Sequence, residues 1–153
     1  MKIGIIVSQF NSAITDQLLK GAEKGLKEQS MDYTIFRVPG AFEIPLMAAE
    51  LSATNAYDGL IALGVVIKGE TDHYDMICRA CVDGIRQVML QERIPITFEV
   101  LMVANAQLAL DRAGDRPDNN KGYQGAYHVV SMVKQLQQVL GNGSMAQHKS
   151  PGR

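Results

Sequence analysis

The stretch GLIALGVVIKGETDHYD, residues 59–75, gives the clearest indication of the fold. Its first part, residues 59–67, is a nearly continuous apolar run, which is typical of a strand buried on both faces of a parallel sheet. A dense group of polar side chains follows, and residues 73–91 then show the apolar spacing of a helix. The stretch therefore predicts a buried strand, a polar loop and a covering helix.

The same alternation continues on both sides of this stretch. Further strands are predicted at residues 2–8, 33–38 and 96–102. Further helices are predicted after Ser12, around Leu46, over 104–113 and over about 122–140, with Ser12 as the cap of the first one. This pattern predicts an α/β protein, a three-layer α/β/α sandwich with a four-stranded parallel sheet, flavodoxin-like.

The chain is predicted to form one domain, residues 1–140, followed by a tail, residues 141–153. The tail has no apolar periodicity, so we expect it to be disordered. The 153 residues carry a formal net charge of −1, which favours neither a nucleic acid nor an anionic membrane as partner. No apolar stretch is long enough to cross a membrane, and a cytoplasmic protein is expected.

Two cysteines, Cys78 and Cys81, spell C-x-x-C. They fall inside the helix predicted over residues 73–91, not at its start, where the helix dipole would lower a thiol pKa. One such pair without further ligands does not complete a zinc site either. We interpret both as packed small side chains, and we expect no metal site.

Polar and aromatic residues follow each predicted strand, in the loops 8–11, 38–43, 68–73 and 103–105. Ligands of open α/β sheets bind beyond the carboxyl ends of the strands, so these four loops should share one edge. They offer rings that can stack on a flat heterocycle, a glycine turn at a helix start that can hold phosphate, and a histidine. The residues predict a site for a planar heterocycle and a phosphorylated partner, with acid–base chemistry.

Several segments resemble the 6,7-dimethyl-8-ribityllumazine synthase family, in the family's order and with near-family spacing. They are Phe10-Asn11, Val38 to Pro45, Gly64 to Asp75, Arg112-Ala113-Gly114 and Asn120-Lys121-Gly122. The resemblance implies that 5-amino-6-(D-ribitylamino)uracil condenses with 3,4-dihydroxy-2-butanone 4-phosphate. The implied products are 6,7-dimethyl-8-ribityllumazine, phosphate and water, in the penultimate step of riboflavin biosynthesis. No metal or organic cofactor is implied.

The resemblance also implies roles for individual residues. His73 is implied to transfer protons, and Glu70 and Thr71 belong to the turn that receives the butanone phosphate. The residues implied to contact the pyrimidine and its ribityl chain are Phe10, Asn11, Ala41, Phe42, Glu43, Val66 and Ile67. Those implied to reach the site of a neighbouring subunit are Phe98, Arg112 and Lys121. The resemblance thus implies a homo-oligomer, and the family's common unit is a pentamer.

Simpler interpretations of the same residues stay open at this level. His73 could cap its helix, and Lys121 could be a solvated side chain. The aromatic residues Phe10, Phe42 and Phe98 could belong to the core. Arg112 could complement a helix dipole instead of a phosphate. The whole chain could also be a non-catalytic flavin- or lumazine-binding member of the fold, or a thiol redox protein.

A few residues depart from the family pattern. Gln9 stands where Arg is common, Asp72 is acidic where an uncharged residue is usual, and Met102-Val103-Ala104 replaces a more polar stretch. Asp72 is expected to point away from the phosphate. The segment 115–120 is one residue longer than in relatives that build sixty-subunit shells, and the sequence starts directly at its first core strand. Both features favour a free pentamer over a shell.

Overall fold

A computed structural model of the protein describes residues 1–148. The strands are β1 (Lys2–Ser8), β2 (Asp32–Val38), β3 (Gly59–Ile67) and β4 (Ile96–Val103). The helices are α1 (Ser12–Glu28), α2 (Ile44–Ala53), α3 (His73–Glu92), α4 (Ala106–Leu110) and α5 (Lys121–His148). Short 3-10 turns occupy Ala41–Glu43 and Pro117–Asn119.

All four strands are parallel and lie in the order β2-β1-β3-β4. This is the strand order of flavodoxin-like sheets. The chain places β2 on one side of β1 and then adds β3 and β4 on the other side. The two central strands, β1 and β3, are covered on both faces, which explains why their sequences are apolar almost throughout. The predicted α/β architecture is therefore confirmed.

Side chains that alternate along the strands divide the core into two layers. Ile3, Ile5 and Val7 of β1 pack with α1 and α5 on one face of the sheet. Ile6 points the other way and packs with residues of α2 and α3. The sheet is thus sandwiched between two helical layers, and its carboxyl edge is left free for a site.

The helix ends differ from the prediction in three places. The cap position of α1 is Asn11, not Ser12, and Asn11 has a left-handed backbone with φ 60°. α4 is shorter than predicted, since Ala113 forms an antiparallel bridge with Asn120. α5 runs past Leu140 to His148, and a helix that already exists is extended more easily than a new one is started. Residues 149–153 of the predicted tail lie outside the described residues.

Within residues 1–148, no helix is both long and apolar enough to cross a membrane. The same residues contain no group of three or more His, Cys, Asp or Glu side chains placed to hold a metal ion.

Candidate active site

A cavity of about 520 Å³ lies where β1 and β3 end and α3 begins. This volume is within the usual range for small-molecule sites. Its walls come from the loops after β1, β2 and β3 and from the first turns of α3. The lining residues are Phe10, Asn11, Pro39, Gly40, Ala41, Phe42, Glu43, Val65, Val66, Ile67, Gly69, Thr71, His73, Tyr74 and Ile77.

The loop after β1 is fastened to both neighbouring strands. The backbone N–H groups of Gln9 and Phe10 donate to the carbonyls of Val38 and Pro39, at 2.8 and 3.1 Å. The side-chain amide of Asn11 donates to the carbonyl of Val65 at 3.0 Å. These bonds fix the position from which the Phe10 ring projects.

Two aromatic rings stand at the cavity with most of their surface in solvent. Phe10 is 73% exposed and Phe42 is 59% exposed, which is unusual for rings in a chain with a well-filled core. Phe42 lies in the 3-10 turn Ala41–Glu43, directly after Pro39-Gly40. Half-buried Val66 and Ile67 complete the apolar wall at the end of β3. The arrangement suits a flat heterocycle, whose faces the rings can cover.

The opposite wall is the beginning of α3. His73 is the first residue of this helix, and its backbone N–H donates to the hydroxyl oxygen of Thr71 at 3.4 Å. Asp72, not His73, occupies the cap position, so the exposed His73 ring does not serve as the helix cap. The amino end of a long helix favours a bound anion. An imidazole beside it can exchange protons with that anion or with a bound amine.

Glu70 and Asp72 belong to the same loop but do not line the cavity. Both side chains are exposed. A Cβ atom built on Gly69 would meet nothing within 4 Å, so space remains open above this loop.

Tyr74 and Ile77 also line the cavity, and neither was predicted as a site residue. Burial raises the pKa of the Tyr74 hydroxyl, and the neighbouring thiol of Cys78 adds to the rise. The phenol therefore stays protonated near neutral pH. The signal that could have found these residues is helical spacing, because Ile77 lies four residues after His73 and three after Tyr74, so it shares a side of α3 with each of them.

Three residues with implied roles lie away from this cavity. Phe98 is half-buried on β4 and packs against the core beneath α2 and α3. Arg112 is exposed, and its guanidinium donates to the carbonyl of Leu108 at 2.8 Å. The Lys121 ammonium donates to the side-chain oxygen of Gln124 at 3.1 Å, and the Lys121 backbone N–H donates to the Arg112 carbonyl at 2.9 Å. A single copy of the chain does not bring these three to the site.

The C-x-x-C pair lies within α3, behind the cavity wall. Cys81 is fully buried in the core, and burial raises the pKa of its thiol to about 12. Burial also raises the pKa of the half-buried Cys78 thiol. Thiols that stay protonated at neutral pH are poor nucleophiles, which argues against a redox role.

Comparisons with known proteins agree with this geometry. A family model described as 6,7-dimethyl-8-ribityllumazine synthase matches residues 1–137. A protein named 6,7-dimethyl-8-ribityllumazine synthase, from Limosilactobacillus reuteri (strain DSM 20016), is 42% identical over 139 residues. That match covers 90% of this chain and 91% of the relative. The chain belongs to the 6,7-dimethyl-8-ribityllumazine synthase family.

Proposed function

We propose that this chain is a lumazine synthase, a transferase of riboflavin biosynthesis that condenses 5-amino-6-(D-ribitylamino)uracil with 3,4-dihydroxy-2-butanone 4-phosphate. The observation that carries the proposal is one cavity shared by two exposed rings, the amino end of α3 and His73. Membership of the family supports the same reaction.

In this proposal the pyrimidine occupies the apolar side of the cavity. Its ring lies against Phe10 and the wall formed by Val66 and Ile67, with Phe42 beside it. The ribityl chain extends toward Ala41 and Glu43, whose exposed carboxylate can accept hydrogen bonds from sugar hydroxyls. Asn11 contributes mainly by holding the Phe10 loop in place.

The butanone phosphate takes the polar side, at the start of α3. Thr71 and the backbone N–H groups of the first helical turn suit its phosphate, in the turn that also contains Glu70. The 5-amino group then attacks the ketone, and loss of water gives an imine. Elimination of phosphate, tautomerisation and ring closure with a second loss of water follow. His73 moves protons in these steps, while much of the rate acceleration comes from holding the two substrates together.

We further propose that each site is shared between two copies of the chain. Phe98, Arg112 and Lys121 lie outside the cavity of their own chain, which supports a role at a neighbour's cavity. An arginine there could grip the phosphate with two hydrogen bonds. The proposed assembly is a cytoplasmic homopentamer, not a sixty-subunit shell. Light scattering that gave the mass of a shell would contradict it.

The reaction itself is tested by following lumazine absorbance and fluorescence with both purified substrates, against a blank without protein. We expect acceleration over the blank, and a fall in kcat of about 100-fold in His73→Ala, the usual scale for losing a proton-transfer group. His128→Ala is the matched control, because His128 is exposed on α5 and does not line the cavity. No acceleration by the wild-type chain, together with tight pyrimidine binding, would instead indicate a non-catalytic binding protein.

A further inference from the structure

Glu99 carries a carboxyl group that has no role in the reaction proposed above. It lies on β4, the edge strand next to β3, and is paired in register with Leu63. Side chains alternate along a strand, so Glu99 faces the α1 and α5 layer, as Leu101 does. Glu99 is half-buried there, whereas acidic side chains are mostly exposed in folded proteins.

The space for Glu99 is made by a glycine on α5. A Cβ atom built on Gly125 would lie 2.8 Å from Cγ of Glu99 and 3.5 Å from its Oε1. The backbone is held this close because the Thr97 hydroxyl donates to the Gly125 carbonyl at 3.2 Å. Glycine in a helix interior costs about 1 kcal/mol relative to alanine, so the room for Glu99 comes at a cost to the intrinsic stability of α5.

The charged group that acts on the pKa of Glu99 is Lys121. It lies four residues before Gly125, at the start of α5. Burial raises the pKa of the Glu99 carboxyl to about 7, and the positive charge of Lys121 opposes this rise. The opposition acts through space, since the Lys121 ammonium donates to Gln124 in the single chain. The charges of Glu99 and Lys121 thus interact without a direct hydrogen bond between the two side chains.

The other groups around Glu99 leave Lys121 as its main partner. The neighbour from β3 is apolar Leu63, and Thr97 and Leu101 share its face of β4. On α5, helical spacing also puts His128 on the side of Gly125, but His128 is exposed and does not shift the pKa of Glu99. Lys121 lies one helical turn before Gly125, which packs on Glu99, and it is the charged group that lowers the pKa of Glu99.

We propose that Glu99 is a positioning residue: its ionised carboxylate draws the ammonium group of Lys121 away from Gln124 and holds it toward the site of the neighbouring copy. This inference rests on the proposed function, in which Lys121 serves that shared site. When Glu99 is protonated, Lys121 returns to Gln124 and the substrate loses a fixed cation. Lumazine synthesis should then depend on a group that titrates near neutral pH.

The experiment is a double-mutant cycle with Glu99→Gln, Lys121→Met and the two combined, assayed for kcat and KM from pH 6 to 9. We expect Glu99→Gln to raise KM for one of the two substrates several-fold at pH 8 and to change kcat little. The difference from wild type should shrink at pH 6, where Glu99 is protonated in the wild type as well. In the Lys121→Met background Glu99→Gln should have no further effect, because residues that act as a unit are not additive.

Glu50→Gln is the control, since Glu50 is exposed on α2, in the layer on the other side of the sheet. A Glu99→Asp variant keeps the charge and should recover part of the wild-type KM at pH 8. An equal effect of Glu99→Gln with and without Lys121, or a loss that does not change with pH, would overturn the proposal.

A second readout does not need the reaction. In protein labelled with ¹³C at lysine Cε, the Lys121 resonance should follow a titration near neutral pH in the wild type and lose it in Glu99→Gln. A resonance that ignores Glu99 would overturn the positioning role. A resonance that follows Glu99 in a chain that makes no lumazine would support the positioning and overturn the proposed function alone.

Discussion

The side-chain amide of Asn11 donates a hydrogen bond to the backbone carbonyl of Val65 at 3.0 Å, while the Asn11 backbone is left-handed with φ 60°. One residue thus joins the end of β1 to the end of β3 and starts α1. Asparagine suits both tasks, because it tolerates this conformation better than most residues and carries an amide donor.

Two substitutions at Asn11 separate these tasks. Asn11→Gly removes the hydrogen bond but leaves the left-handed backbone unstrained. It should lower the free energy of unfolding by about 1 kcal/mol. Asn11→Ala adds left-handed strain of about 1 kcal/mol and should be the less stable variant. Urea unfolding at one protein concentration measures the difference. An alanine variant as stable as the glycine variant would show that the strain is relieved by a backbone shift.

Phe42 should matter for binding and not for folding. Its ring is 59% exposed, so Phe42→Ala should change the free energy of unfolding by less than about 0.5 kcal/mol. Loss of an aromatic contact worth about 1 kcal/mol should raise KM for the pyrimidine by about five-fold. Leu46→Ala is the matched control, since Leu46 is 68% exposed and does not line the cavity. Equal effects of the two variants on KM would remove Phe42 from the site.

Glu99 should make stability depend on pH in a defined direction. Its pKa in the folded chain is about 7, above the ordinary value of 4.5 for a glutamate carboxyl, so the folded state binds the proton more tightly. The stability that the protonated group contributes is complete below about pH 4.5 and is lost as the pH rises through 7. Relative to wild type, Glu99→Gln should therefore gain stability as the pH increases across this window. Denaturant unfolding at pH 5 and pH 8 tests the sign, and a gain toward acid pH would contradict it.

Gly125→Ala tests the packing of the same carboxylate. Alanine favours a helix interior by about 1 kcal/mol, but its Cβ would meet Cγ of Glu99 at 2.8 Å. Because Glu99 is on an edge strand, its side chain can turn toward solvent, so we expect little net change in stability. The pKa of the Glu99 carboxyl should instead fall toward its ordinary range, which a ¹³C titration of that carboxyl measures. Gly141→Ala, where a Cβ meets nothing within 4 Å, should leave the Glu99 pKa unchanged.

The fold could be predicted from the sequence because local patterns and buried faces coincide. The run at residues 59–67 is apolar on both sides since β3 is central, and α3 begins at His73 as its apolar spacing indicates. The left-handed cap at Asn11 was missed, because the serine that follows it is an equally good local candidate.

The site was predictable only in part, for a similar reason. Loops after parallel strands meet at one edge whatever their sequences are, so Phe10, Phe42 and His73 could be brought together in advance. The pairing of Glu99 with Gly125 depends on how α5 crosses β4, and no local pattern contains that contact. That Arg112 and Lys121 lie away from the cavity of their own chain was implied by the family resemblance and by no local pattern.

The two cysteines should differ in reactivity and in stability, and neither should matter for the reaction. Cys81 is fully buried and its thiol pKa is raised to about 12, so alkylation should require unfolding of the chain. Cys81→Ser places a hydroxyl in an apolar core and should cost about 1–3 kcal/mol of stability. Cys78 is only half-buried, so Cys78→Ser should cost less than Cys81→Ser. Both variants should keep the wild-type kcat at temperatures where they remain folded. A folded Cys78→Ser variant with a large loss of kcat would show that the thiol beside Tyr74 takes part in the chemistry.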